Sequence, residues 1–115
     1  MIVGVQGTSS FDDYQTFLRA MGVALSSMPK TDEHFHVYSA GPSKINSMAM
    51  EFVNVSEKGM KSRGKKVKFY SVSPEWIAEN IKDFSYIAFF SKDINDSRLT
   101  KFAKENNIET YTFTY

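Results

Sequence analysis

Tyr86-Ile87-Ala88-Phe89-Phe90 is the most hydrophobic run of the chain, and it constrains the fold more than any other segment. A strand with one solvated face alternates apolar and polar residues; this run does not alternate. It reads as a strand buried on both faces, the mark of a central strand in a parallel sheet.

The segments around it supply the rest of such a sheet. Met1-Ile2-Val3-Gly4-Val5 opens the chain as a strand and leads to Gly7-Thr8-Ser9-Ser10. Tyr14, Phe17, Leu18, Met21, Leu25 and Met28 then recur at three- and four-residue steps, which stacks them on one helical face as core packing. Ser10 and Asp13 form a capping pair at its start, and Pro29 marks where the helix is over. Phe35-His36-Val37-Tyr38 is a second strand, ending at Ser39-Ala40-Gly41-Pro42. From Ser43 a second helix carries Ile45, Met48, Ala49, Phe52 and Val55 on one side.

Lys58 to Lys66, with Gly59 and Gly64, reads as a basic connector, because glycines commonly follow helix ends. Val67 to Val72 is the third strand. Ser73-Pro74-Glu75-Trp76 is a strong helix start: Ser caps, Pro fits the first turn, and Glu favours the positive end of the dipole. After the apolar strand and a polar loop from Ser91 to Asp96, a last helix carries Leu99, Phe102 and Ala103. Ile108 to Phe113 is rich in β-formers. The order βαβαβαβαβ predicts an α/β fold, a Rossmann-like three-layer sandwich of about five mostly parallel strands flanked by helices.

With 115 residues, one domain spanning 1–115 is expected. The net charge of +1 creates no global field toward nucleic acid or acidic membrane. Cysteine is absent, which excludes disulfides, thiolate catalysis and cysteine-based metal sites. No apolar stretch suits a membrane span and the start does not look like a signal peptide, so the expected address is cytoplasmic.

In open parallel sheets, ligands bind beyond the carboxyl ends of the strands, near the switch in strand order. That rule selects Gly7-Thr8-Ser9-Ser10, Ser39 to Ser43, and Ser91-Lys92-Asp93. The first two combine glycine with hydroxyls at a helix N-terminus, where free amides and the dipole suit phosphate. Neither is a P-loop, and no Gly-x-Gly-x-x-Gly fingerprint follows the first strand. A phosphoacceptor receiver domain shares the βα order, but the third strand ends in Ser71-Val72-Ser73 and offers no acceptor carboxylate.

His34 and His36 would share one face of the second strand. With only Asp32 and Glu33 nearby, no metal site is expected. The run Lys58, Lys61, Arg63, Lys65, Lys66 and Lys68 reads as a solvated connector; nucleic acid is the sharper alternative, for which Tyr70 alone offers little stacking, so nucleic acid is not an expected partner.

These residues together give a resemblance. The stretch Ile2-Val3-Gly4-Val5-Gln6-Gly7-Thr8-Ser9 and the segment from Ala40 to Phe52 resemble the SLOG superfamily, Rossmann-like domains related to the LOG phosphoribohydrolases and the DNA-processing protein A family, and in particular its short bacterial and phage-borne members. Those begin with a strand and a Gly-Ser/Thr-Arg turn, and carry a Gly-Gly-Ala-x-Gly-x-Asp-x-Leu-Ala-x-Glu-Trp type segment after the second strand. Here Ser9 stands for the Arg, Lys44 for a Gly and Asn46 for the Asp. The resemblance implies a nucleotide or nucleotide-derived ligand and no cofactor. Gly7, Thr8, Ser9, Gly41, Ser43 and Lys44 would face phosphate, Asn46 and Glu51 the sugar or base, and Ser91 and Asp93 the far border. The LOG loop Pro-Gly-Gly-x-Gly-Thr-x-x-Glu corresponds to Ser91–Leu99, which lacks the glycines and the glutamate, so binding without catalysis is the leading expectation. N-glycosidic cleavage with Glu51 or Asp93 as base is the alternative, and an interaction module that has lost its ligand is a third. Pairing of copies through helices is also implied, and the Lys, Asn, Phe, Tyr and Met usage suits an AT-rich genome, phage included.

Overall fold

The computed structural model describes residues 1–92 and 103–115. Five strands form one sheet: β1 (Ile2–Gly7), β2 (His34–Ser39), β3 (Lys66–Ser71), β4 (Tyr86–Phe90) and β5 (Glu109–Phe113). They lie in the order β3-β2-β1-β4-β5, and every neighbouring pair is parallel. The α/β three-layer architecture expected from the pattern is present, with an all-parallel sheet. All five residues of β4 are buried, as an interior strand covered on both faces requires.

Strand order dictates where the helices lie. From β1 to β2 to β3 the chain steps in one direction, so right-handed crossovers put α1 (Tyr14–Ser26) and α2 (Ser43–Ser62) on the same face. The return from β3 to β4 reverses direction and carries α3 (Pro74–Glu79) and the 3-10 turn Ile81–Asp83 to the other face. Two cores follow. Val3, Val5, Phe35, Val37, Tyr86, Ala88 and Phe90 pack with Phe17 and Met21 of α1 and Ile45, Ala49 and Phe52 of α2. On the opposite face Ile87 and Phe89 pack with Ile77, Ile81, Phe84 and Ala103. Of the expected last helix, Leu99 and Phe102 lie outside the described residues.

Several local expectations need correction. The cap of α1 is Asp13, whose carboxylate accepts from the Thr16 amide at 3.2 Å and the Thr16 hydroxyl at 2.7 Å. Ser10 is not part of it: Phe11 is fully buried, and seating that ring requires residues 8–12 to turn before the helix begins. Leu18 is 37% exposed, because it lies about 100° around the helix from Phe17, and Ala20 and Ala24 take the inward positions instead. Val55 is 72% exposed; Ser56 holds the inward position of that turn and donates to the Phe52 carbonyl at 2.6 Å.

Helix α2 also continues through Gly59, where a side chain would meet open space. It stops at Gly64, with φ +73. The Gly64 amide donates to the Lys61 carbonyl at 3.0 Å and the Lys65 amide to the Met60 carbonyl at 2.8 Å, the paired bonds of a Schellman ending. Lys58 and Lys61 are therefore helical, and the connector is only Arg63–Lys65. By contrast α3 begins as expected, with Ser73 Oγ accepting from the Trp76 amide at 3.0 Å and Pro74 in the first turn. No helix among the described residues is long and apolar enough to cross a membrane.

Candidate functional site

The strand order reverses between β1 and β4, so the crevice favoured for ligands lies beyond Gly7 and Phe90. The loops after β1 and β2 do meet at this rim: the Gly7 amide donates to the Gly41 carbonyl at 3.3 Å, and the Thr8 amide to the Phe90 carbonyl at 3.0 Å. Both amides are thereby used within the protein.

The space directly over the switch is filled from inside the chain. Phe11 stacks on Phe90 with ring centroids 4.5 Å apart, and Tyr115 meets Phe11 edge-on at 4.9 Å. The Tyr115 hydroxyl hydrogen-bonds to Ser10 Oγ at 2.6 Å and also to Thr8 Oγ1. Thus two hydroxyls of the first turn already have a partner, while Ser9 stays exposed. Gly7 is explained by packing: a Cβ there would come within 2.6 Å of Ile45 Cδ1 and 2.7 Å of the Phe90 carbonyl oxygen.

Open space lies one element further, between the start of α1 and the first two turns of α2. A cleft of about 350 Å³ is lined by Asp12, Tyr14, Ser43, Lys44, Ser47 and Glu51, with Met48 at its base. Ser43, Lys44 and Glu51 are thus brought together, since positions one, two and nine of a helix with 3.6 residues per turn share a flank. Lys44 Nζ reaches Asp12 Oδ2 at 3.3 Å across the mouth; both side chains are well exposed. Burial, and then the nearby Glu51 carboxylate, push the Tyr14 phenol up from its ordinary range, so Tyr14 is a neutral hydrogen-bonding group at neutral pH.

The first two residues of α2, Ser43 and Lys44, line this cleft, and the helix start has no side-chain cap. Its cap residue is Pro42, which has no side-chain oxygen, and the first turn holds no acidic residue. The Asn46 amide donates to the Pro42 carbonyl at 3.1 Å. The amides of exposed Ser43 and Lys44 have no acceptor among the described residues, whereas Ile45 is fully buried. Gly41, with φ +83, supplies the left-handed turn that delivers the chain into the helix, a conformation glycine adopts without strain.

The remaining candidates are placed elsewhere. Asn46 Oδ1 accepts from the buried Ser39 hydroxyl at 2.5 Å, which ties the first turn of α2 to the end of β2. Ser91 is buried, and its amide donates to the Phe113 carbonyl at 3.1 Å. Asp93 lies outside the described residues. Among the described residues no three metal-ligating side chains gather. Sequence reasoning missed Asp12, Tyr14 and Ser47 as cleft residues and Phe11 and Tyr115 as fillers of the switch. Only Phe11, a large apolar residue in a polar loop, carried a local signal. Comparison with known proteins returns no match: no family model, no curated protein and no solved structure is similar to this chain.

Proposed function

We propose that this chain binds a phosphate-bearing, nucleotide-type ligand in the cleft between α1 and α2. The observation that carries the reading is the uncapped start of a 20-residue helix opening on that cleft. Ser43 and Lys44, both exposed, bring two amides without an acceptor among the described residues to the rim of that cleft, and the helix dipole adds partial positive charge at the same end.

The site residues divide by chemistry. Ser43 supplies a hydroxyl donor and Lys44 a mobile positive charge for the phosphate end, once Lys44 leaves Asp12. Ser47 and Glu51, one and two turns further along α2, match the hydroxyls of a sugar, and Tyr14 offers a ring and a neutral phenol. This arrangement agrees with what the SLOG resemblance of residues 2–9 and 40–52 implies, while moving the contacts from the Gly7–Ser10 turn to the α2 side. Binding without turnover is the preferred form: Glu51 has no hydrogen-bond partner among the described residues to orient it, and Asp12 is held by a cation, Lys44, rather than by a group that would make it a base.

Titration calorimetry with inorganic phosphate, nucleoside monophosphates and nucleosides tests it. Monophosphates should bind best, and Lys44→Ala should weaken them about tenfold, as loss of a charge-assisted contact does. Equal affinity for nucleosides and monophosphates, or no heat with any of them, rejects the proposal.

A further inference from the structure

The opposite sheet face holds a second assembly that the cleft does not involve. Strand pairing sets His34 beside Lys66, His36 beside Lys68 and Tyr38 beside Tyr70, and side chains two apart share a face. Tyr70, Tyr38 and Trp76 form a three-ring stack, with centroids 4.6 Å and 5.0 Å apart and planes within 15° and 10°. Tyr38 is the middle ring. Tyr70 sits on β3, an edge strand, so the stack ends there, with no described ring on its outer side.

Along the outer edge of β3, two residues before Tyr70, lies a basic groove of about 340 Å³ that runs between this edge and α2, lined by Glu57 and Lys61 of α2 and by Lys65, Lys66, Val67 and Lys68. Lys65 Nζ is committed to the Lys30 carbonyl at 2.7 Å and to the Asp32 carbonyl. Lys61, Lys66 and Lys68 have no ion-pair partner among the described residues, and Glu57 is the groove's one carboxylate. Lysines on an edge strand discourage pairing with other strands; that role does not call for an aromatic stack ending beside them.

We propose that the outer edge of β3, with Tyr70 on one side and α2 on the other, is a docking surface for single-stranded nucleic acid. A base extends the stack on the outer side of Tyr70, and the adjoining phosphates follow the groove past Lys68, Lys66 and Lys61. Lys66 and Lys68 stand about 6.6 Å apart along one face of the strand, a spacing comparable with that of successive phosphates in an extended chain. A flat π-face bordered by lysines is the combination that sequence-tolerant single-strand binding uses. An acidic peptide or an anionic membrane would use the lysines and leave the ring unused.

Fluorescence anisotropy with labelled oligothymidylate, the matching duplex, polyglutamate and vesicles of phosphatidylglycerol and phosphatidylcholine tests this. The single strand should bind best, with salt dependence, and a strand carrying 5-iodouracil should photocrosslink at Tyr70. Lys66→Ala with Lys68→Ala should lower the salt slope by about 1.4. Tyr70→Ala should weaken binding about fivefold or more, with Tyr70→Phe close to the parent. Circular dichroism checks that each variant is folded; the site of photocrosslinking in the parent chain, at Tyr70 or elsewhere, decides the matter if Tyr70→Ala is not. No binding, equal or better binding of duplex, polyglutamate or vesicles, or a folded Tyr70→Ala variant of unchanged affinity overturns the proposal.

Discussion

The hydroxyl of Tyr115 hydrogen-bonds to Ser10 Oγ at 2.6 Å, joining residues 105 positions apart over the mouth of the strand-order switch. The same hydroxyl meets Thr8, and the ring stands edge-on to Phe11. The most ligand-prone crevice of a parallel sheet is thereby filled by the chain's own aromatic residues.

Replacing Tyr115 with Phe keeps the ring contact and removes both hydroxyl bonds. Each is worth about 0.5–1.5 kcal/mol net, and partial exposure places the sum near the lower end. Urea unfolding should show a loss of about 1 kcal/mol, and amide exchange should quicken at Thr8–Ser10 while β4 is unchanged. Unaltered exchange in that turn would show that the hydroxyl does not hold it.

Gly7→Ala tests the packing explanation of that glycine. The new methyl would stand 2.7 Å from the Phe90 carbonyl oxygen and 2.6 Å from Ile45 Cδ1, and backbone yields less readily than a side-chain tip. Destabilisation of about 1–3 kcal/mol is expected, read as a lower urea midpoint at constant slope. A neutral effect would mean that β1 and β4 can shift apart at no cost.

Glu51→Gln separates binding from catalysis. If the cleft only binds, no free base is released when the parent protein is incubated with nucleoside monophosphates, and the variant keeps affinity within about threefold, the scale of one neutral-for-charged exchange at an exposed sugar contact. Base release by the parent that Glu51→Gln abolishes would make the protein a glycosidase.

His36 gives a pH dependence of definite sign. Burial chiefly, then the positive charges of His34, the N-terminus and Lys68, hold its imidazole below the ordinary 6.5, and its Nε2 is buried without a hydrogen-bond partner among the described residues. The unfolded chain therefore takes up the proton first as pH falls. Stability is full above about 6.5 and declines below it, until the lowered folded value is passed. The thermal midpoint should fall between pH 7 and pH 5 more steeply in the parent than in His36→Gln. Parallel curves would assign the decline to other groups.

Much of the fold was legible because its signals are local. The unbroken apolar run of β4, the Ser73-Pro74 start of α3 and the stop before Pro29 each depend on a few neighbouring residues. The site was legible only in part. Ser43, Lys44 and Glu51 share a flank of one helix, so periodicity gathers them. Asp12 and Tyr14 complete the cleft from another element, and no spacing rule connects them to α2. Gly59 misled for the converse reason: a glycine on a solvent-facing turn costs a helix about 1 kcal/mol, and the contacts of α2 with the sheet carry it through to Gly64.

Apolar runs, helical periodicity and the Ser73-Pro74 cap by themselves determined the α/β class and the positions of the strands, because each is an interaction between residues a few positions apart. Only the tertiary structure decided that Phe11 and Tyr115 fill the switch, that the uncapped start of α2 opens on a cleft, and that Tyr38, Tyr70 and Trp76 stack at a basic edge. Those outcomes depend on strand order and register, which bring distant residues to within a few ångströms, and no local pattern encodes which distant partner arrives.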